Sequence, residues 1–188
     1  MPGQMPRVDV LIVSLGGTAG LREADAELAG SLSRAGAVVE IARVGRAREL
    51  RTFAAIEFAW AVNARRATTR ALARWSPRAV IYSTTTAALL CPVSGAIRFD
   101  APAAGNRPGR HGVWQRPVEA KRFKEASLLV PWSEEGLADL MAELEGQQGR
   151  VYIRDLNITA TPQGGDPTAS PVLSIRATLV GLAKIEAA

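Results

Sequence analysis

The chain has 188 residues, 47% of them apolar and 22% charged, with a formal net charge of +5. That size and balance suit one globular domain with a sizeable core, or one domain carrying an appendage. A single cysteine, Cys91, and a single histidine, His111, exclude intrachain disulfides and a cysteine-rich zinc site. The lone histidine removes most metal and Ser-His-Asp schemes, unless His111 itself carries them.

No apolar run approaches the roughly 18 residues of a membrane span. Residues Met1 to Arg7 lack the apolar core of a signal peptide, so the expected location is the cytoplasm. The basic residues are nearly all arginine, since Lys121, Lys124 and Lys184 are the only lysines. This excess reads either as plain composition or as affinity for phosphates or an anionic membrane surface, which would put the protein at the inner face of the membrane. No nucleic-acid motif accompanies the charge, so nucleic acid is not an expected partner.

In chain order, Val8 to Ser14 is a short β-branched run that suits a strand buried on both faces. Gly16, Gly17 and Gly20 follow, and Leu21, Ala24, Leu28, Leu32 and Ala35 then recur at helical spacing until Gly36 ends the helix. Strand, glycine turn and helix are the first half of a βαβ unit, with the helix N-terminus aimed over the turn. Ala37 to Arg43 is the second strand. Thr52 to Trp75 is a long helix with Ile56, Trp60, Asn63, Ala67, Ala71 and Trp75 as its expected inner face. Arg66, Arg70 and Arg74 fall four apart on another face, which reads as solvated surface or as a contact for membrane headgroups or a partner.

Ala79 to Tyr82 is the third strand, running into Ser83-Thr84-Thr85-Thr86. Hydroxyls there either cap the short helical segment that follows or bind a ligand; Thr84 and Thr85 are the binding candidates. Gly95 to Phe99 is the fourth strand. The stretch from Asp100 to Gly112 is a long loop rich in glycine and proline that carries Arg107, Arg110 and His111. Trp114 and Gln115 open a helix to about Glu125, Ser127 to Pro131 is a fifth strand, and Ser133 is a plausible N-cap of a further helix. Arg150 to Arg154 reads as a sixth strand, Asp155 to Pro171 as a linker, and Val172 to Ala188 as a short apolar tail, strand or helix. Strands and helices alternate throughout, so a doubly wound, mainly parallel α/β domain is expected over residues 1–154, with 155–188 as linker and tail.

Several of these segments together resemble a known family. They are the Gly16-Gly17 turn, the Arg34-Ala35-Gly36-Ala37-Val38-Val39-Glu40 passage into the second strand, the Asp100 strand end, the loop from Arg107 to Trp114, and the Val130-Pro131-Trp132-Ser133-Glu134 junction. Their order and spacing, from about Val8 to Val151, resemble the N-terminal half of a GT-B glycosyltransferase of the retaining family 4 type. The resemblance implies a Rossmann-like half that binds the acceptor, a small molecule or glycan. A second, donor-binding half would hold the nucleotide sugar. It implies hexosyl transfer with no metal and no cofactor beyond that donor substrate.

Carried over, Gly16 and Gly17 lie near donor phosphate and acceptor, and Ser133 opens the last helix of the half-molecule. The family's His-Asp strand end stands here as Phe99-Asp100, which removes the histidine. The donor half is not expected within these residues, so the chain reads as a truncated enzyme. The alternative is a non-catalytic α/β module or inactive remnant.

In the transferase reading, Asp100 orients an acceptor hydroxyl and His111 is the other catalytic candidate; the alternative is that Asp100 caps a turn and the loop arginines sit in solvent, with His111 an ordinary loop residue. Arg107 and Arg110 supply positive charge for a leaving phosphate, and Arg22 either reaches the glycine loop or points to solvent, the latter being favoured. Trp114 either stacks on a sugar face or packs its helix.

Overall fold

In the computed structural model, which describes residues 7–47, 50–100, 112–132, 136, 151–161 and 172–181, the first five strands form one parallel sheet. Strand β1 (Val10–Ser14) lies between β2 (Val39–Arg43) and β3 (Ala79–Tyr82); β4 (Ala96–Phe99) and β5 (Leu128–Pro131) continue outward, giving the order β2-β1-β3-β4-β5. The register sets Val10 beside both Val39 and Ala79, and Ile12 beside both Ile41 and Ile81. Leu11, Ile12 and Val13 are all fully buried, as a strand covered on both faces must be.

The order makes the sheet doubly wound and Rossmann-like. From β1 the chain passes through α1 (Ala19–Arg34) to β2, then returns through α2 (Phe53–Arg74) across β1 to β3, and proceeds through α3 (Thr85–Ala88) and α4 (Gln115–Glu125). Right-handed crossovers place α1 on one face and the other three helices on the opposite one. Neighbouring residues of β4 respect that division. Phe99 meets Phe123 of α4 with ring centroids 5.1 Å apart, while Arg98 reaches Asp25 of α1 at 3.2 Å. The main core lies on the α2–α4 side, around Leu11, Val13, Val80, Tyr82, Ile97 and Phe99.

Strands β1 to β5 and helices α1, α2 and α4 appear where the sequence places them, within two residues at each end. Which helix face is buried differs. In α1 the expected stripe of Leu21, Ala24, Leu28, Leu32 and Ala35 is only half-buried, and the buried residue is Asp25. In α2 the buried residues are Glu57, Ala61, Ala64, Ala67, Thr68 and Ala71; Ala67 and Ala71 are buried as expected, while the buried positions Glu57, Ala61 and Ala64 each lie one residue beyond the expected Ile56, Trp60 and Asn63. Small side chains let α2 lie close against the sheet and α3, and bulky Trp60 and Trp75 pack along its flanks. Thr68 is accommodated because its hydroxyl donates to the Ala64 carbonyl at 2.9 Å.

The turn from α1 into β2 is tied to β1. Gly36 adopts φ 89° beyond the helix end, and the next backbone N–H but one, that of Val38, donates to Asp9 Oδ2 at 3.0 Å. That bond, opposed by partial desolvation and helped by Arg7 and Arg78, lowers the Asp9 carboxyl below its ordinary range. A depressed carboxylate contributes stability above its unfolded-state pKa and loses it as pH falls through the lowered folded-state value. Asp9→Asn is therefore expected to flatten the acid limb of the stability profile below about pH 4, read by urea unfolding across pH, with the wild type showing the steeper loss.

Beyond the parallel sheet, β6 (Val151–Thr161) and β7 (Val172–Gly181) pair antiparallel as a separate two-stranded sheet. Here the structure corrects the expectation. The strand does not stop at Arg154, residues 155–161 are strand rather than linker, and residues 172–181 of the tail take the strand alternative, with 182–188 outside the described residues. The register shift between Ile153 and Asp155 explains the error. Apolar residues alternate at Val151 and Ile153, then again at Leu156, Ile158 and Ala160, and the bulge between them breaks the period that marks a strand.

Candidate functional site

A doubly wound sheet opens a crevice at the C-terminal ends of its strands where the winding reverses, here between β1 and β3. On the β1 side the chain leaves buried Ser14 and Leu15 for Gly16 at φ 57°, the left-handed region that favours glycine. Gly17 is exposed and has open space where a side chain would stand. Thr18 then caps α1, its hydroxyl oxygen accepting from the Leu21 N–H at 3.2 Å. Backbone N–H groups and the positive end of a sixteen-residue helix therefore border the crevice.

Arg22 corrects the solvent reading. Its Nη1 donates to the Gly16 carbonyl at 2.8 Å, so the side chain folds back along the glycine turn and braces it. The guanidinium stays exposed, with further donors pointing away from that bond.

On the β3 side, Ser83 is buried and joins the two walls. Its backbone N–H donates to Val13 O at 3.0 Å, and its hydroxyl accepts from Leu15 N–H at 3.4 Å. Thr84 caps α3 by accepting from Ala87 N–H at 3.2 Å, which fulfils the capping alternative and leaves its hydroxyl proton to donate elsewhere. Thr85 is buried. Thr86 donates to Oε1 of Glu57 at 3.2 Å.

Glu57 is the residue that the sequence analysis does not single out. It is buried near the start of α2, and its second oxygen, Oε2, accepts from Gln115 Nε2 at 3.3 Å at the start of α4. One carboxylate thus pins the opening turns of α2, α3 and α4 together beside the crevice. The fully buried Gln115 keeps its own Oε1 without a hydrogen-bond partner among the described residues. A lone charged residue on an otherwise alanine and threonine face was the available cue. It was hidden because Ile56 and Trp60 made the adjacent face look more apolar.

Trp114, half-buried at the N-terminus of α4, sits edge-on to Phe58 of α2 with centroids 5.7 Å apart, which is the helix-packing role. Asp100 ends β4 and is exposed. Two inter-strand steps separate it from the Gly16 turn, about 10 Å at the usual strand spacing. Arg107, Arg110, His111 and Ser133 lie outside the described residues. The crevice therefore brings together Gly16, Gly17, Arg22, Thr84 and Thr85, with Asp100 along the same edge.

A second polar construction lies on the α1 face of that edge. Arg98 donates to Asp25 Oδ1 at 3.2 Å and stacks its guanidinium 4.2 Å above the Trp132 ring. Burial lowers the Arg98 pKa from its ordinary value, and the Asp25 charge opposes that shift.

Chemically, the crevice offers hydroxyls, backbone donors and a helix terminus, which suit a phosphate or a polyhydroxylated ligand. Among the described residues, no group of three or more His, Cys, Asp and Glu side chains is placed to hold a metal. Burial raises the pKa of both the Cys91 thiol and the Tyr82 phenol, the latter donating to Val93 O at 2.8 Å, so neither is an activated nucleophile. No helix among the described residues is long and apolar enough to cross a membrane. Comparison with protein-family models, curated proteins and solved structures finds no match to this chain.

Proposed function

We propose that this chain is the acceptor-binding half of a GT-B, retaining family 4-type glycosyltransferase, working on nucleotide sugar held by a donor half outside these residues. The observation that carries the reading is the crevice between β1 and β3. There the left-handed Gly16, the open Gly17 and the capped start of α1 stand beside the β3–α3 turn, which Ser83 ties to Leu15 and in which Thr84 caps α3. That arrangement provides what sugar transfer needs from an acceptor half: donors fixed in advance toward a phosphate, and hydroxyl partners for a sugar or polyol.

In this reading, Gly17 N–H and the α1 dipole stabilise phosphate charge at the crevice, and Arg22 holds the turn in shape. Thr84 and Thr85 border the acceptor. Asp100 orients its attacking hydroxyl. The acceptor is a small molecule or glycan, no metal takes part, and the site works in the cytoplasm or at the inner membrane face.

Gly17 gives the sharpest test. An added Cβ meets nothing within 4 Å there and Gly17 does not have positive φ, so Gly17→Val is expected to fold and to crowd a ligand at the turn. Titration of the labelled chain with glucose 6-phosphate is expected to shift the amides of Gly17, Thr18 and Thr84, and Gly17→Val to weaken that binding about tenfold or more. Equal binding by the variant would remove the crevice from the mechanism. The isolated chain is also expected to give no efficient transfer of radiolabelled sugar, and robust turnover by it would refute the half-enzyme reading.

A further inference from the structure

A cavity of about 680 Å³ opens on α2 beside the β2–α2 connection. Gly45, Asn63, Arg65, Arg66, Thr69 and Arg70 line it. About nine residues of helix, or roughly 14 Å, separate Arg66 from Glu57, so the arginines stand apart from the junction that Glu57 makes. Its rim is held in shape: Asn63 Nδ2 donates to the carbonyls of Gly45 at 3.2 Å and Arg46 at 3.4 Å, which fastens the connection to the middle of α2.

The charge of this cavity is what needs explaining. Arg66 and Arg70 stand one turn apart, and Arg70 Nε donates back to Arg66 O at 3.3 Å, which draws its guanidinium over the preceding turn. Like charges at that spacing repel and destabilise a helix. Among the described residues, neither arginine meets a carboxylate, and none of the lining residues is acidic. The neighbouring arginines are engaged differently: Arg65 donates to Leu90 O at 3.1 Å, and Arg74 stacks 4.9 Å from the Trp75 ring. Arg66 and Arg70 are both exposed, with their terminal nitrogens available to an incoming anion.

We propose that this cavity binds a phosphate-bearing anion. Arg66 and Arg70 present forked donors, a geometry matched to phosphate oxygens. The Thr69 hydroxyl adds a donor between them, and the Asn63-held connection closes one side. The site stands independently of the sugar-transfer reading, because it shares no residue with the crevice.

The test uses two sources of phosphate. The labelled 188-residue chain is titrated with inorganic pyrophosphate at low salt. It is also sedimented with vesicles of phosphatidylcholine alone or mixed with phosphatidylglycerol. Saturable shifts at the Asn63 and Thr69 amides, weakened about tenfold or more in Arg66→Gln/Arg70→Gln, support a soluble phosphate ligand. Sedimentation only with phosphatidylglycerol vesicles, lost in the same variant, supports a lipid-borne phosphate. Arg66→Lys/Arg70→Lys is expected to recover only part of either response, since it keeps the charge and loses the fork. The glutamine variant is expected to melt no lower than the wild type, because it removes repulsion and no ion pair. No response in either arm, or an equal response from the glutamine variant, overturns the proposal.

Discussion

Arg98→Met is expected to lower the stability of the domain by about 3–5 kcal/mol, the range for removing one partner of a buried ion pair. Asp25 has a side chain only 2% exposed, and the Arg98 bond at 3.2 Å is its ion pair. Its Oδ2 has no hydrogen-bond partner among the described residues, so methionine would leave a charge in the interior with nothing to offset its lost hydration. The reverse change, Asp25→Leu, is expected to cost less. Arg98 keeps 14% of its side chain exposed and retains the Trp132 ring against its guanidinium, so it can still meet water at one edge and a π-face at the other.

The double variant Asp25→Leu/Arg98→Met removes both charges and is expected to recover most of the loss, since apolar replacements of buried pairs are often neutral or stabilising. Urea denaturation of the four proteins in the cycle measures this directly. Additive losses in the double variant would show that the two residues act separately, and the account of the α1 face would fail.

That pair also shows where sequence reasoning stops. The parallel sheet was legible because each central strand announces itself locally. Leu11-Ile12-Val13 and Val80-Ile81-Tyr82 are short apolar runs, the first closed by Gly16 and the second by the hydroxyls of Ser83 to Thr86. The glycine turn was legible too, since a strand leading into Gly16-Gly17 and then a helix has few other foldings. The Gly16 turn into α1 and the Thr84 cap of α3 were therefore visible in outline.

The polar residues that organise the helices were not. Asp25 finds Arg98 across 73 residues of chain, and Glu57 finds Gln115 across 58. In a helix wheel, such a residue looks like a charge on the wrong face, and the wheel is rotated to expose it. The partner that makes burial tolerable is a tertiary fact, set by which strand lies under which helix. The bulge after Ile153 hid β7's partner for a different reason: one extra residue reverses the alternation, and a fixed-period reading then sees two fragments instead of one strand.

Gly95→Ala is the second large loss expected, about 3 kcal/mol, from overpacking against backbone rather than from conformational strain. Gly95 does not have positive φ, so alanine could adopt its backbone angles. The obstacle is space. A methyl group there would stand beside the Val80 carbonyl oxygen, closer than van der Waals contact permits, and 3.1 Å from both the Val80 carbonyl carbon and Tyr82 Cε2. Neither neighbour is a flexible side-chain end. Val80 is buried in β3, paired to Leu11 of β1, and the Tyr82 ring is fixed by its hydroxyl bond to Val93. Gly95 cannot retreat easily either, since its carbonyl accepts from Ser127 N–H at 3.1 Å just before β5 begins.

Relief would require β3 and β4 to separate, at the strand that forms one wall of the crevice. For a chain of this size the loss corresponds to a fall in melting temperature of roughly 6–12 °C. Gly45→Ala is the control. Its added methyl group meets nothing within 4 Å, so the reduced freedom of the unfolded chain should leave it neutral or more stable by up to about 1 kcal/mol. Thermal unfolding of both variants separates the explanations. If Gly95→Ala melted with Gly45→Ala, the close approach of the Gly95 backbone to β3 would not be the constraint that reserves this position for glycine.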